Sequence, residues 1–293
     1  MFLKYIEYKN SATAKLLEIG YSKEQTKELL DIYDKNQIKD ILTKEYSTDY
    51  ITFGKEKYFI YSNIQKYIDY RKSHNNNNIT DIVSIINVEA DQDWYDNVKE
   101  TKIDSNNELL ILVNKVYHLN ESYAPTDIVN TGLLYSYEGN KIKSEVYQAF
   151  INMYNAAKSE NLSLIINSSY RTYATQKKLY DERVVTYGVK EADEYAARPG
   201  HSEHETGLAL DIWAYNTDLD FEETEEFRWM QEHAHEYGFI LRYPKGSEHL
   251  TGYSYESWHY RYLGIEMATK VKEEGITYDE YYAYYCEYKK TCY

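Results

Sequence analysis

At 293 residues the chain is long enough for one large or two modest domains, and a core of that size needs no disulfide or metal staple. Its 43% hydrophobic and 28% charged residues, with only 3 prolines, exclude a disordered tail or a collagen-like repeat. With 48 acidic against 33 basic side chains the net charge is -15, which repels phosphate and argues against a nucleic-acid partner. No stretch approaches the roughly 18 consecutive apolar residues of a membrane helix, and the first ten residues lack the apolar centre of a secretory signal.

In chain order, residues 11–46 read as short helices punctuated by Gly20 and Asp34, with Ser22 as a cap. A further helix is expected over Tyr58 to Tyr70, where Ile60, Ile64, Tyr67 and Ile68 fall near helical spacing. The asparagines at 75–78 mark a solvated loop. Asp81 to Val88 and Leu109 to Val113 are β-branched runs of the kind found in strands, so the chain changes from helical to mixed in this region. The expected organisation is a helical module over 1–80, a main domain over 81–275 and a helical extension over 276–293. The 36 tyrosines have no fixed period; each suits the edge of a core or the wall of a polar groove.

The second half alternates: helix Ser144 to Ala157, strand Leu162 to Asn167, helix Thr172 to Tyr187 ended by Gly188, strand Leu208 to Trp213. Helix Glu222 to Tyr237 ending at Gly238, strand Phe239 to Tyr243 and helices after Gly264 and Thr277 follow. Lacking a strict βαβ rhythm, this predicts an α+β fold with helices packed on a mainly antiparallel sheet. Cys286 and Cys292 are close in sequence, and the sequence leaves open whether they are bridged or free; a bridge would favour life outside the cytoplasm.

Six of the eight histidines lie between His201 and His259, together with Glu205, Asp211 and Glu256. His204-Glu205 begins like the helical zinc-protease signature, but position 208 is leucine where a second histidine is required. His233 and His235, two apart on a helix, point to different sides and make poor joint ligands. Asp211 differs: Leu208, Leu210 and Ile212 face one side of a strand and Ala209, Asp211 and Trp213 the other, and a carboxylate there is costly unless a cation or donor meets it. Glu256 and His259, three residues apart, need a turn or bulge to reach one site.

Ser169-Tyr-Arg-Thr-Tyr, Gln176, Pro199-Gly-His-Ser-Glu-His-Glu-Thr-Gly-Leu-Ala-Leu-Asp211, Gly238-Phe-Ile-Leu-Arg-Tyr-Pro and Glu256-Ser-Trp-His259 together resemble the VanY-type D-alanyl-D-alanine carboxypeptidases. These belong to the zinc peptidases that include lysostaphin-like enzymes and the hedgehog domain. With Leu112-Val-Asn-Lys and Tyr123-Ala-Pro-Thr-Asp, the resemblance covers Leu109 to Gly264. It implies that His204, Asp211 and His259 hold a catalytic Zn²⁺, that Glu256 is the general base and that Arg171 stabilises the oxyanion. It also implies that Gln176 and Ser202 lie against the substrate. Two imidazoles and one carboxylate leave a fourth position for water, in keeping with this chemistry. Ser257 departs from the family, in which proline is common between the glutamate and the tryptophan.

The expected activity is removal of terminal D-alanine from peptidoglycan stem peptides. The alternatives are an L,D-carboxypeptidase acting on tetrapeptide stems and a noncatalytic wall-binding protein. The substrate places the expected work outside the cytoplasmic membrane, at the wall or membrane surface, with an export segment not visible in the chain.

Overall fold

The computed structural model describes residues 2–75, 78–104 and 107–292, with the backbone alone for residues 2–7. It divides into two compact units, Met1–Asn87 and Val88–Tyr293.

The first unit is helical: α1 (Phe2–Ile19), α2 (Lys23–Ile32), α3 (Lys35–Ile41), α4 (Asp49–Gly54), α5 (Ile64–His74) and α6 (Ile79–Asn87). Ser22 and Asp34 each accept a backbone N–H three residues on, and Gln25 and Gln37 return the bond, so two reciprocal capping boxes start α2 and α3. Leu16, Leu29, Ile38, Phe53, Tyr67, Ile82 and Ile86 form its core, with Phe53 stacked on Tyr67 at 5.3 Å between centroids. Two expectations change here. A 3₁₀ turn over Tyr61–Asn63 delays the expected Tyr58 helix, so α5 begins at Ile64. The run Asp81 to Val88, expected as a strand, is instead largely helical α6: Asn78 Oδ1 accepts the Asp81 N–H at 3.2 Å, and Ile82, Val83 and Ile86 recur at helical spacing on the core face. The first unit therefore runs on to Asn87, past the expected boundary at 80. Of the expected asparagine loop, residues 76 and 77 lie outside the described residues.

The second unit is built on a four-stranded antiparallel sheet whose strands, in spatial order, are Leu164–Ser168, Ala209–Ala214, His259–Tyr262 and Phe239–Leu241. Before it in the chain come β1 (Lys99–Glu100) paired parallel with β2 (Tyr117–His118), and β3 (Ile128–Asn130) paired antiparallel with β4 (Lys141–Lys143). The sheet strands are β5 (Leu164–Ser168), β6 (Ala209–Ala214), β7 (Phe239–Leu241) and β8 (His259–Tyr262), with register Asp211 to His259 and Ser168 to Asp211. Leu208, Leu210 and Ile212 turn to a core shared with α7 (Ser144–Ser159) and α10 (Glu225–His233), through Val146, Phe150, Met153, Phe227 and Met230. The remaining helices are α8 (Tyr173–Tyr187), α9 (Val189–Tyr195), α11 (Glu248–Thr251), α12 (Ile265–Glu274) and α13 (Tyr278–Tyr281). The last of these runs into a π-helical turn over Tyr282–Tyr288. Thr172 caps α8, and Gly188, at φ +81°, ends it.

Leu109 to Val113 forms no strand: a 3₁₀ turn over Glu108–Leu110 leads in, and the carbonyls of Leu109 and Ile111 accept from Arg261 at 2.9 and 2.7 Å instead of from a neighbouring strand. Nor do residues 276–293 stand apart from the main domain. Tyr278, Tyr281 and Tyr282 pack with Met267 and Val271 of α12 against Leu112, Ile240 and Leu263.

Cys286 and Cys292 are joined in a disulfide six residues apart, beyond the last buried side chains, Tyr282 and Ala283. Reducing it should lower the unfolding temperature of the second unit by at most about 4 to 8 °C, since closing so short a loop is worth about 2 kcal/mol. A larger fall in a reductant melt would mean that the short loop carries more of the terminal packing than its position implies.

Candidate metal centre

The site is made where three chain features meet on the polar side of β6. Residues Glu203–Thr206 form a 3₁₀ turn that Gly207 ends at φ +70°; a Cβ there would stand 2.7 Å from Ile128 Cδ1, so the turn needs glycine. From that turn His204 reaches Asp211, the third residue of β6, and β8 begins opposite with His259. The turn over residues 256–258 resolves the facing problem of Glu256 and His259: the His259 N–H donates to the Glu256 carbonyl at 3.4 Å, bringing both side chains to one place.

His204, Asp211 and His259 are all buried, and their ligand atoms lie within 4.8 Å of one another. His204 Nδ1 bonds the Ser169 carbonyl at 2.8 Å; a carbonyl only accepts, so that nitrogen carries the proton and the Nε2 lone pair, 3.3 Å from Asp211 Oδ1, is left for a cation between the two atoms. His259 turns Nδ1 to the same oxygen, also at 3.3 Å, and Glu256 Oε2 lies 3.5 Å from that nitrogen. Asp211 Oδ1 is itself buried without a hydrogen-bond partner. An orphaned carboxylate oxygen faced by two imidazole nitrogens is the donor set a small, borderline-soft cation such as zinc takes up, with room for a fourth ligand. His204, Asp211 and His259 thus fit a zinc ion.

The electrostatics point the same way. Burial alone would raise the Asp211 carboxyl, yet the two imidazoles hold it well below the usual carboxylate range. Burial, followed by the Arg171 charge, lowers His204. At His259 burial acts downward but is outweighed by Asp211, Glu203 and Glu256, which push the imidazole up to about 9. The carboxylates therefore gather positive charge at this point. Glu256, its side chain 22% exposed, is raised to about 7, chiefly by burial.

Arg171 donates through Nη2 to Asp211 Oδ2 at 3.2 Å and to Ser168 Oγ at 2.9 Å, and through Nη1 to Gln176 Oε1 at 3.4 Å. Gln176 is buried and gives its amide to the Ala197 carbonyl at 2.8 Å. A cleft of about 630 Å³ opens over these groups, lined by all seven expected site residues and also by Leu179, Arg183, Tyr195, Tyr243, Tyr253 and Trp258. That volume suits the end of a peptide.

A family model described as VanY, D-alanyl-D-alanine carboxypeptidase, matches residues 139–265. The chain is 40% identical over 182 residues to the putative carboxypeptidase YodJ of Bacillus subtilis, covering 59% of this chain and 67% of that one. Among solved structures it is similar to the LdcB LD-carboxypeptidase, with a TM-score of 0.60 and 38% identity, over 64% of this chain and 91% of that one. The chain belongs to the VanY-type carboxypeptidase family. A further VanY structure, a D,D-pentapeptidase from a VanB-type resistance cassette in complex with Zn(II), matches with a TM-score of 0.52 and 34% identity, over 59% and 97% of the two chains.

In this VanY-type chain the expected site residues converge on one cleft, whereas His233 and His235, at the end of α10, do not line it. Sequence reasoning missed Glu203, Arg183 and the tyrosines of the wall. Glu203 stands beside His204 in the motif, but its burial and its partners Arg242 and Arg261 come together only in the fold. Arg183 lies seven residues after Gln176, and so two turns further along the same face of α8, a spacing that was legible.

Proposed function

We propose that the chain is a zinc-dependent D-alanyl-D-alanine carboxypeptidase that removes the terminal D-alanine of peptidoglycan stem peptides. The observation that carries this reading is the convergence of His204, Asp211 and His259 with Glu256 at the floor of one cleft. His204, Asp211 and His259 would hold zinc, which would supply Lewis-acid polarisation of the scissile carbonyl and lower the pKa of water. Glu256, ionised, takes the proton of the attacking water and passes it to the departing amine. Arg171 faces the charge that develops on the carbonyl oxygen. Because it also donates to Asp211, it steadies a ligand as well. Gln176 holds Arg171 from behind and, with Ser202, lies against the peptide. A substrate ending in a free carboxylate brings negative charge to a cleft in which Arg171 and Arg183 are the lining guanidiniums.

The site of action is proposed to be outside the cytoplasmic membrane, where this substrate lies; the Cys286–Cys292 disulfide is in keeping with an oxidising compartment. Among the described residues no helix is long and apolar enough to cross a membrane.

Mass analysis of muropeptides should show loss of one D-alanine from a pentapeptide ending in D-Ala-D-Ala. Release from a tetrapeptide alone would transfer the chain to the L,D-carboxypeptidases, and release from neither, with zinc bound, would make it a binding protein.

Four substitutions test the roles. His259→Ala should lose zinc on dialysis while His235→Ala keeps it; full occupancy in His259→Ala would remove the ligand assignment. Glu256→Gln should retain zinc and lose turnover by about 10² to 10⁴, the usual contribution of a positioned base. Its pH profile separates it from Arg171→Ala. A base with a raised pKa works above that pKa, so wild-type kcat/KM falls as pH drops through it, at a value that the bound cation moves below 7. Glu256→Gln abolishes this acidic limb, whereas Arg171→Ala lowers the whole curve and preserves it. An unchanged limb in Glu256→Gln would assign the base elsewhere.

A further inference from the structure

Behind the metal triad lies a closed group of four charges. Glu203, next to His204 in the 3₁₀ turn, accepts through Oε1 from Arg242 Nε and Arg261 Nη1, each at 2.8 Å. Arg242, which follows β7, grips Asp279 of α13 with both terminal nitrogens, at 2.5 and 3.1 Å. Asp279 also accepts from Asn114 Nδ2 at 2.8 Å. Arg261, two residues after His259 on β8, directs its remaining N–H groups to the carbonyls of Leu109, Ile111 and Tyr262. Two carboxylates face two guanidiniums, and all four side chains are at most 1% exposed.

Buried ion groups of this kind are weak contributors to stability, because desolvation consumes most of the Coulomb gain. What the group holds is therefore the more informative question. It leaves one atom over: Glu203 Oε2 is buried and has no hydrogen-bond partner, and the imidazole nitrogen it faces, His259 Nε2 at 3.5 Å, has none either. Each is the other's complement if His259 carries its proton on Nε2, and that tautomer turns the Nδ1 lone pair toward Asp211 and the metal position.

We infer that Glu203 is a positioning residue that fixes the tautomer and ring orientation of His259. Arg242 and Arg261 hold it in place, and Asp279 of α13 completes the charge balance. A carboxylate behind a metal-bound histidine keeps the ring aimed and raises its basicity. One consequence reaches beyond the family match. Asp279 lies outside residues 139–265 and outside the resemblance over Leu109 to Gly264, so the C-terminal helix helps to hold the metal site.

The inference rests on the metal reading of the triad, and the test separates the two. Zinc affinity of the full chain is measured by competition with a chromogenic chelator, with the melting curve of each metal-free protein as the control for folding. Glu203→Gln should bind zinc about 10- to 100-fold more weakly than wild type, the usual loss for such an outer partner. Asp279→Asn, one step further back, should weaken it less but in the same direction, and Glu203→Asp should recover part of the loss. A residue of merely structural importance would shift the melting curves and leave the affinity of the folded protein unchanged. Equal affinity in folded Glu203→Gln overturns the inference, whereas a wild type without zinc affinity overturns the metal reading itself. Should Glu203→Gln not fold, nitrogen NMR of zinc-loaded wild type decides: the expected His259 ring is protonated at Nε2, and a proton on Nδ1 overturns the inference.

Discussion

Asp211 sets the terms for the rest of the domain. Strand β6 is apolar on its core side, and the carboxylate in its middle is buried on the other. An ionised group in that position is tolerable only if positive charge comes to it. The fold meets the requirement from three directions: His204 from the turn before the strand, His259 from the strand beside it and Arg171 from the segment after β5. The inner oxygen is left to a cation and the outer one is held by a guanidinium, so the same contacts that make burial of Asp211 possible also aim it.

The layers behind follow from this. A histidine offered to a metal needs its second nitrogen fixed, and the two histidines use different means. His204 uses a backbone carbonyl, which is neutral, accepting and set by the main chain. His259 faces a carboxylate, and a buried carboxylate brings a further charge problem, which Arg242 and Arg261 solve and Asp279 balances. The C-terminal helix is thus tied to the site by electrostatics as well as by the packing of Tyr278 and Tyr281.

Much of this was legible in the sequence, because period and punctuation are local. Alternation in β6, the glycines ending α8 and the α10 segment, and the cap at Ser22 all act within a few residues of where they are read. The triad was legible because a carboxylate in an apolar strand is anomalous on its face, and because the ordered motifs resemble a family. Residues 81–88 have the β-branched composition of a strand, but a single asparagine cap and burial of one face make the run largely a helix. The pairing of Glu203 with Arg242, and of Arg242 with Asp279, was not legible at all. Charged residues 37 or more positions apart carry no sequence sign that they meet, and burial, which makes their pairing obligatory, exists only once the sheet has formed.

The central claim is that one zinc ion at His204, Asp211 and His259 enables hydrolysis at this cleft. The most direct measurement strips the protein with a chelator and follows D-alanine release from a stem pentapeptide as zinc is returned in known equivalents. The account predicts no release from the stripped protein, a linear recovery and a plateau at one zinc per chain. Undiminished release after complete removal of metal, or a plateau that needs a second equivalent, would contradict it.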